Sequence, residues 1–256
     1  MHRDMGPEIA MTRARLFPLR LAVTVFFLLL IYVLLRLLWF PGGYFDLFGV
    51  SKLFWILAGF AVIAGPGLST FLFRPGKKGL KSDLVIIAAI ELAIYAWAVA
   101  ELYARQPAYA VFAVDRFEAV QRKEVDLEKL EFQQLADRPG HAPRLVYAEL
   151  PTDPDVMSRL IDETVFMGMA DIDRRPEFWK PYAQGVSTLR AAAKPLVNLL
   201  SGDDYRADVL GRWLRDQPLP PSQYSYLPIR GSRADGTIVL HADIAYPVAV
   251  LAIDSW

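Results

Sequence analysis

The stretch FRPGKKGLKSD, Phe73 to Asp83, sets Arg74, Lys77, Lys78 and Lys81 against a single acid, Asp83, between two long apolar runs. A loop in a soluble domain has no need of such a cluster. A short loop between two membrane spans does, because basic residues hold it on the cytoplasmic side. The flanking runs decide the matter. Leu19–Trp39, Leu53–Phe73 and Leu84–Tyr103 each reach the roughly 20 residues that a helix needs to cross a hydrocarbon core.

The basic residues alternate across these runs. Arg3, Arg13, Arg15 and Arg20 precede the first, only Lys52 lies between the first and second, and the Arg74–Lys81 cluster lies between the second and third. The tail 1–18 and the FRPGKKGLKSD loop are therefore expected in the cytoplasm, with Pro41–Ser51 and residues 105–256 outside. Pro75, Gly76 and Gly79 supply the turn of the loop. Its charge also attracts the headgroups of the inner-membrane lipid. The first run is too long for the apolar core of a signal peptide and lacks a small-residue cleavage site. Trp39, Phe40, Tyr44 and Tyr103 read as interfacial anchors at the outer ends of the spans. Met11 offers a second possible start.

Of the 256 residues 54% are hydrophobic, and the excess falls before residue 104. The chain divides into a tail (1–18), a membrane domain (19–104) and a water-soluble domain (105–256). Lys and Arg number 28 and Asp and Glu 28, so no global basic field points to nucleic acid as a partner. Cysteine is absent, which excludes disulfides, thiolate metal sites and a cysteine nucleophile.

Charged residues within the spans are costly enough to suggest function. Glu91 lies seven residues into the third run, on the order of 10 Å from its cytoplasmic end. Counting back the same distance from the end of the second run reaches Gly65-Pro66-Gly67. Pro66 has no amide to donate to the carbonyl of Val62, and a protonated Glu91 could supply the missing donor. Small residues at 65 and 67 also permit close approach of another helix. Glu91 therefore reads either as a partner for the kinked neighbour or as a contact for a transmembrane helix of another protein. Arg36 and Glu101, each near the outer end of its span, read as a structural ion pair.

Beyond Pro107 the pattern changes to strands over 108–114 and 116–121, with a further strand over 144–150. Helices are expected over 155–169, 187–200 and 203–216, with Pro195 breaking the second. Three closing strands follow over 223–229, 237–242 and 248–253, with turns at Asp235-Gly236 and Ala245-Tyr246-Pro247. Strands at both ends around central helices imply an α+β domain with a mainly antiparallel sheet. Aromatic and arginine residues are favoured interface anchors, so Tyr224, Tyr226 and Arg230 are expected to form an exposed recognition face on the closing meander.

Catalytic motifs are missing. The histidines are His2, His141 and His241, with no paired spacing for zinc. No serine sits in G-x-S-x-G, and no P-loop or G-x-G-x-x-G occurs. Asp171-Ile172-Asp173 has the form of a metal–nucleotide triplet, but Arg174 and Arg175 follow at once, as at a solvated helix end. Neither a cofactor, a metal nor an enzyme activity is expected.

Three segments carry a family resemblance. FLFRPGKKGLKSDLVIIAAIELA, RQPAYAVFAVDRFEAV and the closing VAVLAIDSW resemble the TfpX/TfpZ type IV pilin accessory proteins of Gram-negative bacteria, over nearly the whole chain from Met11. The most specific portions are Arg74–Asp83 and the Val-Phe-x-Val-Asp-Arg-Phe of Val111–Phe117. The resemblance implies an inner-membrane chaperone, with a periplasmic C-terminal domain, that binds and stabilises the type IV major pilin. Such a pilin carries a glutamate near the start of its membrane helix and, once processed, a positive N-terminus. Where the family often has an uncharged polar residue in the third span, this chain has Glu91. The competing expectation is a membrane-anchored envelope enzyme that modifies pilin or cell-surface components.

The charge pattern predicts the topology directly. A reporter active only in the periplasm should work when fused after Trp256 and fail when fused at Lys78. The opposite result would remove the basis for an external domain.

Overall fold

A computed structural model describes residues 13–72, 79–137, 141–201 and 204–256. Arg74, Lys77 and Lys78 lie outside the described residues, and Lys81 falls in the opening turn of a helix. The chain forms two compact units, one of Met1–Leu34 with Lys52–Leu102 and one of Leu35–Ser51 with Tyr103–Trp256.

The helices that come first among the described residues are α1 (Arg13–Leu34), α2 (Tyr44–Leu47), α3 (Val50–Val62), α4 (Ser69–Leu72) and α5 (Leu80–Ala104). Three stretches are long and apolar enough to cross a membrane: Phe17–Trp39, Val50–Gly67 and Val85–Ala104. Large apolar side chains such as Phe26, Trp55 and Trp97 stay exposed on them, as they would toward lipid. The second span contains Pro66 within a π-helical turn, Ile63–Leu68. A π ladder steps from i to i−5, so the amide one residue past the proline, that of Gly67, is in register with the carbonyl of Val62. The backbone thus accommodates Pro66 without the donor that the sequence reading sought from Glu91.

The second unit is built on one sheet. Its strands are β1 (Pro107–Ala113), β2 (Arg116–Gln121), β3 (Arg144–Ala148), β4 (Trp179–Pro181), β5 (Lys194–Pro195), β6 (Tyr224–Arg230), β7 (Asp235–His241) and β8 (Tyr246–Leu251). Their order is β4-β3-β1-β2-β6-β7-β8, with β5 also on β6. The expectation of a mainly antiparallel sheet is corrected: the sheet is mixed, because β1 runs parallel to β3 and β2 parallel to β6. The physical reason is visible in β1. Every residue of PAYAVFA is buried, which marks a central strand covered on both faces rather than a half-solvated one.

One face of the β1 side carries Tyr109, Val111, Val146 and Trp179 against Leu160 of α6 (Pro154–Val165) and Ile172. Asp153 caps α6 by accepting from the amide of Asp155 at 2.8 Å, and Pro154 follows in its first turn. After α7 (Val186–Ala192), β5 and a short 3₁₀ turn replace the remainder of the expected helix, as Pro195 requires. α8 (Asp204–Arg215) adds Leu210 to the core of Leu196, Leu199 and Val239.

The connection between the first two spans is part of this unit. Phe40, Tyr44, Leu47 and Val50 are buried. The amide of Gly43 donates to the carbonyl of Val250 at 2.9 Å, and the carbonyl of Leu47 accepts from the amides of Arg233 and Ala234 at 3.0 and 3.2 Å. Phe40 and Tyr44, read from sequence as membrane anchors, are instead core residues. Trp39 packs edge-on against Tyr103, with ring centroids 5.2 Å apart. Because segments 43–47 and 233–250 are hydrogen-bonded neighbours, they lie on the same side of any bilayer the helices cross.

The same connection explains a misread turn. Asp235 and Gly236 belong to β7, and the reversal sits at Gly231–Ala234, closed by the amide of Gly231 on the carbonyl of Ala234 at 2.9 Å. Gly236 serves close approach: a Cβ there would lie 2.7 Å from the carbonyl oxygen of Leu251 and 2.9 Å from Leu47 Cδ1. The second expected turn also shifts, since Tyr246 and Pro247 begin β8 and Ala245 takes the left-handed conformation before them.

Gly43 tests this packing. A Cβ there would stand 2.5 Å from the Val250 carbonyl oxygen, which is backbone and cannot swing away. Gly43→Ala should lower stability by about 1–3 kcal/mol. Gly211→Ala, in α8 with open space around it, should raise stability by ~0.5–1 kcal/mol. Thermal unfolding of the detergent-solubilised protein checks both.

Candidate functional site

Two polar clusters stand out, one in each unit. In the first unit Arg20 of α1 and Glu91 of α5 meet, with Nη1 and Oε2 3.5 Å apart and both side chains mostly buried. Gly65 brings the proline turn against the same carboxylate. A Cβ at position 65 would be 2.3 Å from Glu91 Oε1 and 3.1 Å from Thr24 Oγ1. The sequence reading that pairs Glu91 with Gly65-Pro66-Gly67 by depth therefore matches their placement, through Gly65 in particular. It missed Arg20, which was counted as a topology charge. The signal available was helical spacing, since Arg20, Thr24, Phe27 and Ile31 share one face of α1.

That face and the face of α5 bearing Ala88, Glu91 and Tyr95 line a cavity of about 250 Å³. Glu91 Oε1 is buried there without a hydrogen-bond partner among the described residues. A second groove, about 610 Å³, lies between α1 and α3 and is lined by apolar side chains including Leu28, Phe54 and Trp55. The first cavity can recognise charge; the second can only accept hydrocarbon. Arg36, assigned by sequence to an ion pair with Glu101, donates from Nη1 to the carbonyl of Gly42 at 3.0 Å and lies over the ring of Phe45 at 5.0 Å. Glu101 is half-buried near the end of α5.

In the second unit Glu118 of β2 is 2% exposed and gathers arginines. It accepts from Arg116 Nε at 2.9 Å, with Arg230 Nη1 at 3.4 Å and Arg174 Nη2 at 4.0 Å. Parallel pairing of β2 with β6 sets Glu118 beside Arg230. The ring of Trp256 lies 5.6 Å from the Arg230 guanidinium and 6.0 Å from that of Arg116. The preceding hairpin turns at Val114, whose φ of 58° is strained for a β-branched residue. Burial pushes the Glu118 carboxyl above the usual range, and neighbouring Asp173 adds to this against the pull of Arg116 and Arg230. Asp173 is likewise raised by burial, opposed by Arg174.

The Asp171-Ile172-Asp173 triplet is occupied in structural roles. Asp171 caps the amide of Ile172 at 2.7 Å, and Asp173 accepts from Arg174 Nη1 at 2.6 Å. The expected recognition face of Tyr224, Tyr226 and Arg230 is corrected. Tyr224 and Tyr226 are buried, Tyr224 edge-on against Trp213 of α8 at 5.2 Å, because β6 lies inside the sheet and α8 covers that face. Only Arg230 reaches solvent, at the strand end beside Glu118.

The chain is similar to fimbrial assembly proteins of Dichelobacter nodosus. It is 29% identical over 176 residues to the one of serogroup E1, covering 66% of each chain, and 29% identical over 171 residues to that of serogroup I, covering 64% of each. A shorter match, 29% over 100 residues, covers 38% of this chain and 76% of the protein of serogroups C1 and C2. The chain thus spans slightly less than two thirds of the first two relatives. No family model matches it, and no solved structure does.

The Glu118–Asp173 cluster has a pH signature. Both carboxyls bind protons more tightly in the folded state than at their unfolded values of about 4. Their destabilisation is fully present above the folded values and is relieved as pH falls through them. The unfolding midpoint of the solubilised protein should therefore rise as the pH falls through the raised folded values toward the unfolded ones. The rise should be flatter in a Glu118→Gln, Asp173→Asn double variant.

Proposed function

We propose that this chain is a multi-pass inner-membrane accessory protein of type IV pilus assembly, with its N-terminus cytoplasmic and its sheet domain periplasmic. It acts as a chaperone that binds and stabilises the major pilin and carries out no reaction of its own. The observation that carries this reading is the Glu91 carboxylate, buried in an apolar span, paired with Arg20 on one oxygen and unsatisfied on the other. Naming of the similar Dichelobacter proteins for fimbrial assembly supports the process.

The chemistry of the cavity suits the polar end of a pilin helix. A membrane glutamate on the pilin would pair with Arg20, and the pilin's N-terminal ammonium with Glu91. A buried ion pair contributes little net stability, so exchanging Arg20–Glu91 for two intermolecular pairs costs little. The apolar remainder of the pilin helix would lie along α1 and α5. Sheltering that helix opposes aggregation and degradation by mass action alone.

Glu91→Leu should leave the accessory protein at its normal membrane level while reducing pilin co-purification by about tenfold or more and lowering pilin abundance. Glu91→Gln should fall between Leu and the parent, since it keeps an acceptor but loses the charge. Gly65→Ala, which displaces the Glu91 carboxylate, should resemble Gln. Unchanged pilin abundance and co-purification with Leu at 91 would refute the reading.

A further inference from the structure

The second unit presents an apolar surface at the end of α6 that the pilin reading does not use. Phe166 is 79% and Met167 71% exposed, and Ile161, Val165 and Met169 are each at least half exposed. These residues are contiguous, since Ile161 and Val165 are one helical turn apart and 166–169 continues from them. Soluble surfaces seldom group so many large apolar side chains without a partner.

The loop is held in this state. Arg175, itself buried, donates from Nη1 to Glu163 at 2.6 Å and from Nε to the carbonyl of Ala170 at 2.7 Å, so one guanidinium clamps both ends of residues 164–169. Gly168 takes the left-handed conformation at φ 66°, and the amide of Met169 returns to the carbonyl of Glu163 at 3.0 Å. Phe166 and Met167 are thus presented on a fixed scaffold, which reduces the ordering cost of binding. Methionine beside phenylalanine gives an adaptable apolar surface.

Charge selects the occupant. Leu160 marks the buried face of α6, and at 100° per residue Asp155 and Asp162 fall on the opposite, solvent face among Ile161, Val165 and Phe166, with one base, Arg159, at its margin, so that the face is acidic on balance. Both acids are exposed. Insertion into an anionic bilayer would desolvate these carboxylates against like charge. We propose that the 161–169 surface docks an amphipathic helical segment of a partner protein, one whose apolar face is flanked by lysine or arginine.

The test uses the full chain in neutral-lipid nanodiscs and two labelled helical peptides of identical apolar pattern, one Leu/Lys and one Leu/Glu, read by fluorescence anisotropy. The Leu/Lys peptide should bind at least about tenfold more tightly. A Phe166→Ser, Met167→Ser variant should lose that binding, and Asp155→Lys with Asp162→Lys should reverse the preference toward Leu/Glu. These are exposed positions, and an unchanged unfolding midpoint separates lost binding from lost fold. Equal binding of both peptides, or binding unaffected by the serine variant, would overturn the proposal. So would the finding that the serine variant abolishes only self-association of the chain, or only its attachment to anionic vesicles.

Discussion

The carbonyl of Leu47 and the amide of Gly43 are the constraint on which the second unit depends. They draw the connection between the first two spans into the end of the β6–β7–β8 meander. Phe40, Tyr44 and Leu47 then become core residues. A short connection between two long apolar helices would ordinarily be free to vary. Here its backbone is hydrogen-bonded to the end of β8 and to the turn between β6 and β7, and Gly43 and Gly236 lack side chains because the chains approach too closely for a Cβ. The sheet domain is therefore not an appendage of the third span alone; its hydrophobic core includes a segment contributed from between the first and second.

The two polar clusters show how environment changes the use of the same residue types. Around Glu118 three arginines converge on one carboxylate, and an indole covers two of them. Such a network ties β2 and β6 into a single arrangement even though burial disfavours the Glu118 carboxylate. Arg20 and Glu91 form a looser pair at 3.5 Å, with a carboxylate oxygen unsatisfied beside a cavity. In an apolar span an unmet acceptor is costly, so its retention favours a binding role over a purely structural one.

Legibility from sequence followed how local each signal was. The three helices long and apolar enough to cross a membrane were readable from length and hydropathy, and Pro195 broke its helix where the chemistry of proline says it must. Glu91 could be placed beside Gly65 because depth in a span is a linear count. What failed was set by tertiary neighbours. Asp235-Gly236 has the composition of a hairpin turn, but Gly236 is required by the close approach of the Leu251 carbonyl on the neighbouring strand and of Leu47, nearly two hundred residues away in sequence. Tyr224 and Tyr226 look like interface anchors, yet α8 covers them. The parallel pairings were hidden because nothing local in the run 108–114 names its partners; its wholly apolar character marks only a strand buried on both faces. Arg20 went unnoticed as a partner for Glu91 because one residue can serve both the positive-inside pattern and an ion pair.

These failures have a common physical form, and it bears on how the exposed 161–169 surface should be read. A residue type that is costly in isolation, whether a glycine in a strand or a tyrosine in a core, proved to have a neighbour that accounts for it. Phe166 and Met167 are costly in the same sense, and the neighbours they have, Gly168 and the Arg175 clamp, maintain their exposure instead of relieving it. A chain selected only for stability would turn these side chains inward or replace them with polar ones. Because a buried arginine is committed to holding them outward, the compensating contact is expected from outside the chain, and Asp155 and Asp162 set the sign of the charge it must carry.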